Sequence, residues 1–230
     1  MREATGLTGD SKFLTIAVLG GTGKEGSGLV LRWAQHGYRV LIGSREAERA
    51  AAKAEELNAI LGASVIQGMS NEEAAAQADI VVLSVPYSAH QAILEAVKDQ
   101  VQGKVLVDVT VPLQPPDVRT VHVPPGKAAS LEAQALLGDG VKVVAAFQNV
   151  GAAHLKELEH SINCDVLVCA DDPEAKAHVA QLVEAIPGMR AIDAGPLANA
   201  VAVEALTPVL LYINKRYKIA GAGIRITGLE

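Results

Sequence analysis

Aromatic residues are scarce in this chain. Two phenylalanines, four tyrosines and one tryptophan make up 3% of 230 residues, so the interior has to be built from alanine, valine, leucine and isoleucine. Positive charge is in deficit as well. Twenty lysines and arginines stand against 26 aspartates and glutamates, a formal charge of −6, which argues against nucleic acid or an anionic membrane as the main partner. Cysteine occurs twice, at Cys164 and Cys169 in NCDVLVCA. Five residues apart on one strand, they face opposite ways, so two buried thiols in a reducing cytoplasm are expected rather than a disulfide. The six histidines stand singly, without metal-ligand spacing, and no metal is expected. No apolar run is expected to approach the roughly 18 residues of a membrane span. The polar opening MREATGLTGDSK (1–12) lacks a signal-peptide core and reads as a short flexible or accessory tail.

Half of the residues are apolar, enough for one large domain or a main domain with a smaller partner. FLTIAVLG (13–20) is a continuous apolar run ending at glycine, as in a central parallel strand. Further strands are predicted at 38–43, 64–69, 79–86, 104–110 and 141–147, with helices at 23–36, 46–61, 71–78, 90–100 and 129–138. This alternation predicts an α/β fold, a doubly wound parallel sheet of Rossmann type over 13–150. Residues 112–127 carry five prolines and read as a long loop. After 150 the texture changes, and a smaller C-terminal α/β domain is predicted over 151–230. Its longest apolar stretch, LANAVAVEALTPVLLYINK (197–215), is predicted to be a helix too apolar to be covered within one chain, hence a homodimer contact.

Gly21-Thr22-Gly23-Lys24-Glu25-Gly26 fits G-x-G-x-x-G. The match is specific because of its place, after the first strand and at the start of the first helix. There the glycines let the backbone approach a pyrophosphate, and the helix N-terminus offers free N–H groups to it. The tip of the second strand would reach the adenosine ribose, where NAD-binding chains carry a carboxylate for the 2′-hydroxyl. Here Ser44 and Arg45 stand at that tip and Arg49 follows one turn on. A hydroxyl and two guanidiniums suit a 2′-phosphate, which makes the expected ligand NADP(H).

The nicotinamide is then expected beyond the ends of strands four to six. These carry Val85 and Pro86, Val111, and Gln148 within Phe147–Gly151. The segments are mainly apolar, with no histidine–carboxylate pair and no lysine expected near the reacting carbon. A second substrate that is itself a flat redox cofactor needs no proton from the protein.

IAVLGGTGKEGSGL, LIGSR, DIVVLSVP, DAGPLANAVAVEALTPVLL and GAGIR together resemble the NADPH-dependent coenzyme F420 reductases, from about Thr15 to Leu229. GPLANA followed by EALTP is the most specific of these. The resemblance implies reversible hydride transfer between NADP(H) and coenzyme F420, an 8-hydroxy-5-deazaflavin, the two rings stacked in a dry cleft. It places Thr22 to Glu25 at the pyrophosphate, and Ser44, Arg45 and Arg49 at the 2′-phosphate. Val85, Val111 and Ala152 would border the nicotinamide, with Ala222 and the Ala205–Thr207 segment near the deazaflavin. Departures from the archaeal pattern fall at Lys24, Glu25, Gln148 and Ala205. Two other readings compete. One is an NADPH-dependent imine or carbonyl reductase, with Tyr87, His90 or Thr207 as proton donor. The other is a non-catalytic NADP-binding redox sensor.

Overall fold

The computed structural model describes residues 14–229; the expected tail, 1–12, lies outside them. The chain alternates β1 (Thr15–Leu19), α1 (Lys24–His36), β2 (Arg39–Ser44), α2 (Ala47–Leu61), β3 (Ile66–Ser70), α3 (Asn71–Gln77), β4 (Ile80–Leu83), α4 (Tyr87–Val97), β5 (Val105–Asp108), α5 (Ala129–Leu137) and β6 (Lys142–Ala145). It continues through β7 (Cys164–Ala170), α6 (Pro173–Glu184), β8 (Met189–Asp193) and α7 (Ala200–Tyr217), the last entered by a 3-10 turn at Leu197–Asn199. Local signals account for many of the ends. Ser70 and Glu73 close a capping box on α3, and Asp172 caps α6 ahead of Pro173. Gly37 ends α1 in the left-handed conformation. α4 starts at Tyr87, earlier than the predicted residue 90, because β4 already ends at Leu83 and Pro86 stands at the N-cap and leads directly into the helix.

The strands form one sheet in the order β3-β2-β1-β4-β5-β6-β7-β8. The first six run parallel, β7 is antiparallel to β6, and β8 is parallel to β7. The strands predicted for a separate C-terminal unit therefore extend the same sheet. Strand alternation splits the core in two. Ile16 and Val18 pack with Leu29, Trp33 and Ile42 on one face, while Ala17 and Leu19 pack with Leu41, Val81 and Leu83 on the other. Two of the scarce aromatics meet at one joint: Trp33 contacts Phe147 edge-on at 5.7 Å, and its indole N–H donates to the Leu182 carbonyl at 2.8 Å. Cys164 and Cys169 are buried, unpaired and on opposite faces.

One expectation is corrected. Leu197–Tyr217, mean hydropathy 1.4, is long and apolar enough to cross a membrane by length and composition. Glu204 is its only charge before Lys215, and Pro208 does not break the helix, so the apolar positions on either side of both join into one run. The helix buries Ala200, Val203, Glu204 and Pro208 against the rest of the chain, and leaves Val209 and Tyr212 at 45% and 57% exposure.

Candidate active site

The chain winds away from β1 in one direction through α1 and β2, and returns on the other side through β4. Loops at the carboxyl ends of β1 and β4 consequently diverge and leave a crevice, the usual ligand position in such sheets. Its first edge is the turn between β1 and α1. Gly20, not Gly21, takes the left-handed backbone there, with φ +81°, and a Cβ on it would stand 2.2 Å from the Ser84 carbonyl oxygen. A Cβ on Gly26 would meet the Gly20 oxygen at 2.8 Å, so α1 starts hard against the turn. No side chain caps α1 at Gly23, which leaves its first N–H groups free beside the crevice.

The cleft has a volume of about 700 Å³ and gathers residues from seven regions of the chain. Gly23 to Gly26 come from the turn, Ser84 to Ser88 from the start of α4, and Val109 to Val111 from the end of β5. Gln148 and Val150 to Ala153 follow β6, and Thr207, Leu211 and Asn214 come from α7. Leu113, Pro115 and Val118 of the proline-rich loop close one side, and Ile219 to Gly221 of the C-terminal tail close another. Among the expected site residues, Gly23, Lys24, Glu25, Gly26, Val85, Pro86, Val111, Gln148, Ala152 and Thr207 meet in this cleft. Gly21 and Thr22 lie in the turn behind it. Ala222 does not line it; its N–H donates to Asn214 Oδ1 at 2.9 Å, and its neighbour Gly221 takes the wall position.

Ser44, Arg45 and Arg49 stand outside the cleft, at the tip of β2 and the first turn of α2. Ser44 Oγ accepts from the Glu46 N–H at 3.2 Å. Both arginines are exposed and make no ion pair with any described residue. Two unpaired guanidiniums at a helix start, where the peptide dipoles disfavour them, are what an anionic ligand at this tip requires.

Behind the wall lies a polar network that sequence reasoning missed. His90 and Asp108 are both buried, with His90 Nε2 2.7 Å from Asp108 Oδ2, which corrects the expectation of no histidine–carboxylate pair near these strand ends. Burial is the largest single influence and opposes the charged imidazole, but the hydrogen bond to Asp108 together with the charges of Asp108, Glu132 and Glu204 outweighs it and raises the histidine pKa. Asp108 also accepts from the Thr110 N–H at 2.9 Å, and its carbonyl accepts from Gln148 Nε2 at 2.7 Å. The pair thus fixes the two wall residues without lining the cleft itself. Thr110 Oγ1 and Gln148 Oε1 are buried with no hydrogen-bond partner among the described residues. Such orphaned groups are expected where a ligand amide completes the bonding.

The three proton-donor candidates are all engaged. Tyr87 donates to Glu132 Oε2 at 2.8 Å, and burial with that bond pushes its phenol up to about 12. His90 is held by Asp108, and the Thr207 hydroxyl donates to the Gln148 carbonyl at 2.6 Å. Arg32, buried on α1, donates to five carbonyls, those of His154, Leu155, Glu157, Leu158 and His160, and so secures the segment that carries Ala152.

A model of the family described as NADP oxidoreductase, coenzyme F420-dependent, matches residues 15–112. The chain is 44% identical to the F420-dependent NADP reductase of Methanothermobacter thermautotrophicus over 222 residues, 94% of this chain and 96% of that one. A crystal structure from Arthrobacter sp. FB24, provisionally described as an F420-dependent NADP-reductase, superposes with a TM-score of 0.78 at 26% identity, over 93% of this chain and 99% of that one. An imine reductase from Myxococcus stipitatus shares the fold alone, with a TM-score of 0.59 at 19% identity, over 89% of this chain and 63% of that one. At 44% identity over 94% of its length, the chain belongs to the family of F420-dependent NADP reductases.

Proposed function

We propose that this chain reversibly transfers a hydride between NADP(H) and coenzyme F420, ring to ring, without an acid–base side chain. The nicotinamide supplies the hydride at C4, and the deazaflavin accepts it at C5 with the resulting charge spread over its pyrimidine ring. The protein's part is to bind, orient and exclude water. In this reading the N–H groups at the start of α1 hold the pyrophosphate, and Ser44, Arg45 and Arg49 hold the 2′-phosphate. Val85, Pro86 and Val111 give one ring an apolar wall, while Ala152, Thr207 and the tail beside Ala222 border the other. Rate then comes from proximity in a dry cleft. Residues 13–150 would form the dinucleotide half and 151–230 the deazaflavin half. The exposed side of α7 would meet a second copy in a homodimer.

The observation that carries the reading is the unpaired Arg45–Arg49 pair at the tip of β2, on a chain in which Tyr87, His90 and Thr207, the expected proton donors of an imine or carbonyl reductase, are all engaged. Arg45→Ala is expected to weaken NADPH binding about 30- to 150-fold, or roughly 2–3 kcal/mol, and to leave NADH binding nearly unchanged. Calorimetric titration of both dinucleotides checks this, and equal losses for both would remove the 2′-phosphate assignment.

A further inference from the structure

Glu25 is the only carboxyl among the residues lining the cleft. It sits in the first turn of α1, half-buried, and lines the same cleft as Val85, Pro86 and Val111. Among the described residues its side chain has no hydrogen-bond or ion-pair partner, unlike the buried carboxylates of Asp108, Asp165 and Glu204. Two other titratable groups face the cleft. Lys24 is exposed beside it, and Tyr87 is committed to Glu132. A carboxyl left without a partner in a phosphate-binding turn is costly unless some ligand state interacts with its charge.

We propose that Glu25 sets the preference of the cleft between the oxidised, cationic nicotinamide and the reduced, neutral one. The inference rests on the dinucleotide reading above, which puts the nicotinamide in this cleft. Pyrophosphate and 2′-phosphate are common to both redox forms, so whatever Glu25 does to them cancels in the ratio of the two affinities. Only the ring charge differs. A carboxylate on the wall attracts the nicotinium ring and is indifferent to the dihydro ring, so it favours NADP+ over NADPH. Burial pushes the Glu25 carboxyl up to about 8, against the pull of the α1 N-terminus, so the group changes charge in the accessible range. Below that range it is neutral and the preference is absent; above it the carboxylate is present and NADP+ gains. Tyr87, pushed up to about 12, stays neutral across the same interval.

The test is a calorimetric titration of NADP+ and NADPH into wild type, Glu25→Gln and Arg45→Ala, with no deazaflavin present. Glu25→Gln is expected to move the affinity ratio toward NADPH by about tenfold at alkaline pH, the effect of one unit charge across a partly wet cleft. In wild type the ratio should move toward NADP+ as pH rises from about 6 to about 9, and in Glu25→Gln it should stay flat. The wild-type profile alone decides the matter if the variant does not fold. A ratio that ignores both the substitution and pH overturns the role of Glu25; if Arg45→Ala in that case still weakens NADP+ and NADPH alike, the dinucleotide reading stands. A protein that binds neither dinucleotide removes both.

Discussion

Arg32 shows how much of this site rests on single buried side chains with distant partners. Its guanidinium satisfies five main-chain carbonyls more than 120 residues away, and no lysine can reproduce that planar fork. Arg32→Leu is expected to cost about 3 kcal/mol in urea denaturation, with Arg32→Lys recovering little of it. Asp165 is the counterpart in the C-terminal half. It accepts a forked pair of bonds from Arg190 at 2.7 and 2.8 Å, one from Arg225 at 2.8 Å and one from the Ile226 N–H at 2.7 Å. The Arg190 bond first, then the Ile226 N–H and the charge of Arg225, hold its carboxyl well below the usual range, although burial opposes them. Its folded pKa is depressed, so its contribution is complete above the unfolded carboxylate pKa of about 4 and is lost as pH falls through the folded value. Asp165→Asn should therefore be about 2 kcal/mol less stable near neutrality and show a shallower acid transition than wild type, as read by thermal melts across pH. None of these roles was legible beforehand. Arg32, Asp165 and Glu204 carry no local motif, and each acts only through partners that the fold brings close.

At the level of elements, legibility followed the range of the interaction. The Gly-rich turn, the arginines at the tip of β2 and the strand–helix alternation are local, and all three are legible in the sequence. The continuation of the sheet into β7 and β8 depends on antiparallel pairing of Val144 with Ala170 and Ala145 with Cys169, which no periodicity announces. The histidine–carboxylate pair was missed because His90 and Asp108 belong to different elements, 18 residues apart. α7 was recognised as an apolar helix, but not its anchoring: the Glu204 carboxylate accepts from the N–H groups of Ala129 and Ser130 and from Ser130 Oγ at the start of α5. Burial nevertheless pushes Glu204 up to about 7, since those bonds offset only part of the desolvation. The proline-rich loop, read as a connection, supplies Leu113, Pro115 and Val118 to the cleft wall.

On the scale of the whole molecule, the loops after β1, β4, β5 and β6 supply one part of the cleft wall and α7 with the C-terminal tail supplies the rest, so neither part encloses the cleft alone. The exposed Val209 and Tyr212 on α7 lead to the expectation of a dimer. Sedimentation should find wild type dimeric and Val209→Glu/Tyr212→Glu monomeric; a wild-type monomer at micromolar concentration would contradict it. The central claim, hydride transfer between NADPH and the deazaflavin, is tested most directly by the absorbance of purified protein mixed with oxidised coenzyme F420 and NADPH, with NADH in a parallel sample. The account predicts bleaching of the deazaflavin's visible band with NADPH and much slower bleaching with NADH. Dinucleotide binding without any bleaching would contradict it.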